Sequence, residues 1–329
     1  TMNNLASVYL ESGQIKKCLP LFEETLAKRQ QKLGPNHPAT LQSMNNLAQA
    51  YRDDGQLDKA LPLYEQTLAK EKEKLGPDHP DTLVCMTNLA FAYWLQRKLD
   101  RSIPLFEEAL KGRKAKLGLL HPATIQTMYN LGVNYLQAGR VSEAIALLET
   151  AHREGSLPED RTSAARELLS AYVTAGKNHE ANVLAADLAA AARQQYPTDS
   201  PRLIGVLDQT SLALMQIKAF AQAEPILREC LAIRKKKEPD AWTTFSTLSI
   251  LGGALLANDK YAEAEALLLQ GYAGMKRREV KIPPEGKVRL TEALERLVQL
   301  YEAWGKKDKA AEWRKKLAEA RAAERNPTP

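Results

Sequence analysis

Residues 33–51 read Leu33-Gly34-Pro35-Asn36-His37-Pro38-Ala39-Thr40-Leu41-Gln42-Ser43-Met44-Asn45-Asn46-Leu47-Ala48-Gln49-Ala50-Tyr51. The same frame returns 42 residues later as Leu75-Gly76, His79-Pro80 and Asn88-Leu89. It returns once more as Leu117-Gly118, His121-Pro122 and Asn130-Leu131, and Asn4-Leu5 holds the register upstream. A fixed period of this size marks a repeat architecture. One unit cannot bury its apolar face alone and must stack on its neighbours. The functional question therefore concerns the surface that the stacked units present.

Within the quoted stretch, Leu41, Met44, Leu47, Ala48 and Tyr51 recur at three and four residues, one apolar face of a helix. Gly55 is placed to end it, since glycine tolerates positive φ. A second helix is expected from Leu57, Ala60, Leu61, Tyr64 and Leu68, running to Leu75-Gly76. His79-Pro80 launches the next unit, its proline suited to an early helical position. Pro20, Pro62, Pro104 and Pro225 lie just past the first turn of second helices, where a proline removes at most one backbone bond. Each unit is thus a helical hairpin followed by an ordered linker.

After Leu131 the period drifts, but hairpin signals continue through Tyr172, Gly176, Phe220, Gly252, Tyr261, Tyr301 and Gly305. The expected fold is all-α, a right-handed superhelical solenoid of about eight helix-turn-helix repeats. Regular repeats fill 1–157, degenerate repeats with a C-terminal capping helix fill 158–323, and 324–329 is a disordered tail. Thr1-Met2-Asn3-Asn4-Leu5 aligns with the helix-interior Ser43-Met44-Asn45-Asn46-Leu47, so the chain reads as a fragment of something longer.

Composition narrows the function. The chain has 329 residues, 44% hydrophobic and 26% charged, with a formal net charge of +6. The 46 basic and 40 acidic residues are interspersed, unlike the concentrated charge of a nucleic-acid binder. The uncharged run from Ala241 to Asn258 contains too many hydroxyls and glycines for a membrane span and reads as a buried helix. Cys18, Cys85 and Cys230 are scattered, which fits a reducing compartment and a cytoplasmic location. No cofactor is implied. His179-Glu180 lacks a second histidine at Val183, so no zinc helix forms, and no nucleophile, phosphate-loop or dinucleotide motif occurs. His37, His79 and His121 occupy equivalent turns about one helix spacing apart, too far to share a metal, and read as structural. The chain is expected to be non-catalytic.

The pattern Leu47-Ala48-x-x-Tyr51, Gly55, Ala60 and Tyr64 resembles the tetratricopeptide repeat. The extra residues and the Leu-Gly-x-x-His-Pro linker resemble the longer repeat of kinesin light chains. Leu227–Arg234, Leu251–Leu256, Gly271–Lys276 and Leu300–Lys306 are similar to the repeat region of planctomycete-type bacterial serine/threonine kinases. That likeness would imply a kinase domain upstream, although no kinase motif stands in this chain. The resemblance to kinesin-light-chain-like and chaperone-binding repeats also implies that the matching asparagine contacts a ligand backbone.

Asn4, Asn46, Asn88 and Asn130 lie in mid-helix, where asparagine is unfavourable relative to alanine. Each precedes a core leucine, which turns it toward the concave side lined by first helices. Two readings stand: an amide offered to an extended peptide, or a hydrogen bond to the adjacent helix that fixes repeat spacing. Asn45, Gln49 and Arg52 lie beside the ladder. Phe91 and Trp94 share one face, with Tyr129 expected to meet them from the next hairpin; these are peptide anchors or packing between first helices. In units five to eight the ladder position holds Glu167, Gln209, Ile250 and Arg296, so the binding half is N-terminal. The basic clusters Arg234–Lys237 and Lys276–Arg278 end second helices, where cations suit the dipole. The expected partner is a protein or peptide, with an acidic-aromatic segment as first guess, and neither nucleic acid nor membrane. A regulatory arm of a kinase and self-association through the N-terminal end are the alternatives.

Overall fold

A computed structural model describes residues 2–325, and side chains through residue 322. Among the described residues there are sixteen α-helices and no strand. In chain order they are α1 (Met2–Glu11), α2 (Ile15–Leu33), α3 (Pro38–Asp53), α4 (Leu57–Lys74), α5 (Pro80–Leu95), α6 (Leu99–Leu117), α7 (Pro122–Gln137) and α8 (Val141–Glu154). There follow α9 (Pro158–Thr174), α10 (Asn178–Gln195), α11 (Pro201–Gln216), α12 (Phe220–Lys237), α13 (Trp242–Ala257), α14 (Tyr261–Lys276), α15 (Val288–Ala303) and α16 (Lys307–Arg325). The packed pairs α1–α2, α3–α4, α5–α6 and α7–α8, and then α11–α12, α13–α14 and α15–α16, are helical hairpins, as the repeat pattern expects. They fall into two compact units, 1–171 and 172–329.

In the first unit, every helix from α1 to α8 packs on its sequence neighbour, and the first helices also touch one another: α1 on α3, α3 on α5, α5 on α7. The apolar stripe Leu41, Met44, Leu47 and Ala48 is buried as read from sequence, the first three against Phe22 and Leu26 of the preceding second helix and Ala48 in the next layer. The next layer repeats this with Tyr64, Leu68, Met86 and Leu89. Each such side chain contributes roughly 1.5–3 kcal/mol by leaving water. No hairpin has both its sides filled by its own atoms, which is why the repeats need one another.

The repeated frame has local causes. His37, His79 and His121 are extended residues just ahead of α3, α5 and α7, and each Nδ1 accepts from a first-turn amide at 3.2 Å. The histidine ladder is thus a row of helix caps, each followed by proline at the first helical position. In α11 the same role falls to Ser200. Gly55 closes its hairpin turn at φ +78°, while Arg97 takes the equivalent place in the third hairpin at φ +59°.

A tyrosine–glutamate pairing runs alongside. Tyr51, Tyr93 and Tyr135 donate their hydroxyls to Glu23, Glu65 and Glu107 of the preceding second helix, always 28 residues back. Burial, and then the carboxylate, push Tyr51 and Tyr135 up to about 12. Each tyrosine is therefore a neutral donor that fixes the pitch between hairpins.

The second unit contains the uncharged run. α13 is buried from Thr244 to Leu255, as expected of a helix covered on all sides. The approach of α14 is set by glycine: a Cβ at Gly274 would lie 1.9 Å from the Phe245 ring. The basic clusters are largely occupied. Arg234 bonds Asp208 and Thr247, Lys237 pairs with Asp199, and Arg278 pairs with Asp240. No helix among the described residues is long and apolar enough to cross a membrane. The three cysteines are free and buried. The tail expected at 324–329 starts inside α16, which runs to Arg325, and residues 326–329 lie outside the described ones.

Candidate binding face of the first unit

The first helices α1, α3, α5 and α7 bring one face together, and the asparagine ladder lies on it. Asn4 is exposed, and Asn46, Asn88 and Asn130 are half-buried, so none is packed away in a hairpin core. Their neighbours differ. Asn88 Nδ2 donates to Asn45 Oδ1 on the preceding first helix at 3.3 Å. Asn130 Oδ1 accepts from Gln126 of its own helix at 3.2 Å. The side chains of Asn4 and Asn46 have no hydrogen-bond partner among the described residues. An asparagine amide has two donors and two acceptor lone pairs, so even Asn88 keeps an oxygen and one N–H for another group. Asn88 thus ties two first helices together, while the Asn46 side chain makes no hydrogen bond among the described residues.

Asn45 is buried and belongs to the packing side of this pair. Gln49 is half-buried beside the ladder. Arg52 bonds Asp53 at 2.8 Å and lies over the Phe91 ring of the next first helix, 5.1 Å from its centre. Phe91 meets Trp94 at 5.1 Å between ring centres, and Trp94 Nε1 donates to Gln137 of α7 at 2.8 Å. Arg52, Phe91, Trp94 and Gln137 form one half-exposed polar-aromatic strip across α3, α5 and α7.

Tyr129 is not part of that strip. It packs beside Ile125, Ala151 and Ala164, and its hydroxyl, raised by burial first, also senses Glu167. The cause is register. Asn45, the residue before one ladder position, meets Asn88, the ladder position of the following hairpin. Tyr129 occupies the place of Asn45 two repeats on and faces forward to Ala164 of α9, not back to Phe91.

A third row went unread in the sequence. Arg113 Nη1 donates to the Ala123 carbonyl at 2.8 Å and to Thr127 at 2.7 Å, and Nη2 reaches Thr87 at 3.1 Å. One guanidinium from α6 thereby ties α5 to α7. Arg29 bonds Ala39 and Ser43 in the same manner, and Arg234 joins Asp208 to Thr247 in the second unit. In the hairpin between Arg29 and Arg113 the place is taken by Glu71, 2% exposed, with Cys85 where the others have Ser43 and Thr127. Desolvation, then Asp81, lift the Glu71 carboxyl to about 7, and its Oε2 has no partner. The signal was present as Arg29 and Arg113 two periods apart, masked by the glutamate between them.

The tetratricopeptide repeat family model matches residues 1–70, 45–115 and 87–153. Among curated proteins none matches the sequence. Among solved structures, nearly identical repeats assigned to a Podosopora anserina kinesin light chain are 26% identical, cover 61% of this chain and 98% of their own, and have a TM-score of 0.56. RapI, in its apo form, is 12% identical, covers 99% of this chain and 98% of its own, and has a TM-score of 0.65. The quorum sensor NprR of B. thuringiensis is 14% identical, covers 97% and 86%, and has a TM-score of 0.58. The last two share the fold alone. Residues 1–153 of this chain match the tetratricopeptide repeat model and are similar to the repeats of that kinesin light chain.

Proposed function

We propose that the chain is a non-catalytic interaction module that holds an extended partner segment on the first-helix face of residues 1–171. The observation that carries this reading is the state of the ladder amides. Asn46 is half-buried in mid-helix with no hydrogen-bond partner among the described residues, next to the Arg52–Phe91–Trp94 strip. An amide costs helix stability relative to alanine and is retained here without an internal bond in return. A peptide backbone supplies the missing donor and acceptor. Phe91 and Trp94 then receive an aromatic side chain, and Arg52 favours an acidic neighbour beside it.

The test is selection from a random-peptide display library on the full chain. The expected outcome is a family of enriched extended peptides that compete for one site. Enrichment of none, or of peptides that do not compete with one another, contradicts the reading.

A further inference from the structure

Past Asn130 the binding face opens into a cavity of about 530 Å³, open solvent at its mouth included. Its walls are Pro122, Ile125, Tyr129 and Ala151, and its polar groups are Gln126, Ser156, Asp160 and Ser163. Gln126 connects it to the ladder through its bond to Asn130. Asp160 is half-buried and has no hydrogen-bond or ion-pair partner among the described residues. The nearest cation in sequence, Arg161, is held by the Gly155 carbonyl at 2.6 Å. The cavity therefore combines one uncompensated carboxylate, an aromatic ring and an aliphatic floor.

We infer that this cavity receives a lysine side chain of the partner segment, with its ammonium on Asp160. The four-carbon stem lies along Ile125 and Ala151, as such stems cover apolar surface. The ammonium pairs with the carboxylate in a half-desolvated setting and lies within reach of the Tyr129 ring face. The two remaining ammonium hydrogens go to oxygens among Gln126, Ser156 and Ser163. A carboxylate-bearing side chain is rejected by Asp160, and a purely aliphatic one leaves the carboxylate without its counter-charge. This rests on the proposed peptide-binding face and fixes the register of the segment: its lysine falls where the chain passes Asn130.

The pocket is tested without a backbone, so that its outcome is separate from that of the asparagine ladder. The probe is n-butylammonium, observed by saturation-transfer NMR against the full chain, with butyrate and 1-butanol as comparisons. Transfer to n-butylammonium is expected to exceed that to either comparison and to fall about fivefold in Asp160→Asn. Ser163→Lys, one helical turn from Asp160, supplies an internal ammonium and is expected to abolish the transfer while the far-ultraviolet circular dichroism is unchanged. Asn46→Ala with Asn88→Ala leaves the n-butylammonium signal intact. Equal transfer to the three probes, or equal transfer in wild type and both pocket variants, overturns the proposal. Loss of the signal in the asparagine double variant would assign it to the ladder instead and overturn it too.

Discussion

Asn88 donates a hydrogen bond to Asn45 across two successive first helices, and Asn46, adjacent to Asn45, makes none. Two neighbouring asparagines of one repeat thus have different duties. Asn45 is buried and satisfied from the next hairpin, and Asn46 points its amide at the face where a ligand would lie. This difference gives the first prediction. Asn88→Ala leaves the buried Asn45 oxygen without its donor and should cost about 1 kcal/mol of stability. Asn46→Ala should change stability by less than about 0.5 kcal/mol. Urea unfolding of the two variants checks both.

The arginine row predicts a larger loss. Arg113 serves three acceptors on two first helices. Arg113→Met fills the volume but leaves a carbonyl and two hydroxyls without the charged donor. A fall of about 2–3 kcal/mol is expected, because hydrogen bonds to a charged group are worth more than neutral ones. The urea midpoint should drop.

Glu71 sets a pH dependence. Its carboxyl is lifted from 4.5 to about 7 in the folded chain. The folded state therefore binds the proton more tightly than the unfolded state. The stabilisation is complete below pH 4.5, declines as pH rises, and is gone above about 7, with a total on the order of 3 kcal/mol. Glu71→Gln should flatten this decline and be more stable than wild type at pH 8. The difference between wild-type and variant urea midpoints, measured from pH 4 to pH 8, isolates the carboxyl from the other titrating groups. A constant difference contradicts the assignment. Glu71→Arg with Cys85→Ser rebuilds the Arg29–Ser43 arrangement and should remove the pH dependence as well.

Arg97 offers a test in the opposite direction. It holds φ +59° where the first, second and fourth hairpins place Gly13, Gly55 and Gly139. A side chain in the left-handed region costs roughly 1 kcal/mol, so Arg97→Gly should raise stability by about that amount less the glycine's greater unfolded-state entropy. A small rise in melting temperature is the expected result.

The repeat, its hairpins and its caps were legible because each rests on a residue whose local chemistry has few alternatives. Proline after histidine starts α3, α5 and α7, glycine at positive φ closes the turns after α3 and α7, and Leu41, Met44 and Leu47 leave one apolar face to bury. Helical geometry alone turns each ladder asparagine off the buried stripe, and Asn4 is exposed while Asn46, Asn88 and Asn130 are half-buried. What lay between hairpins was harder to read. Tyr129 was placed one hairpin too early because sequence period fixes which residues are equivalent, but not which way an equivalent side chain leans. The roles of Arg29, Glu71 and Arg113 are not readable locally, since bonds 14 residues forward and 26 back have no short-range signature. The cavity beside Asp160 depends on the departure of 155–158 from the regular linker, where the periodic argument ceases to apply.

The account's central claim, that the asparagine ladder holds a peptide backbone, is tested most directly by fluorescence anisotropy with a display-selected peptide. Wild type is compared with the Asn46→Ala, Asn88→Ala double variant, at matched helical content. The account predicts a loss of affinity of tenfold or more, on the order of two backbone hydrogen bonds. Unchanged affinity in the folded double variant would contradict it.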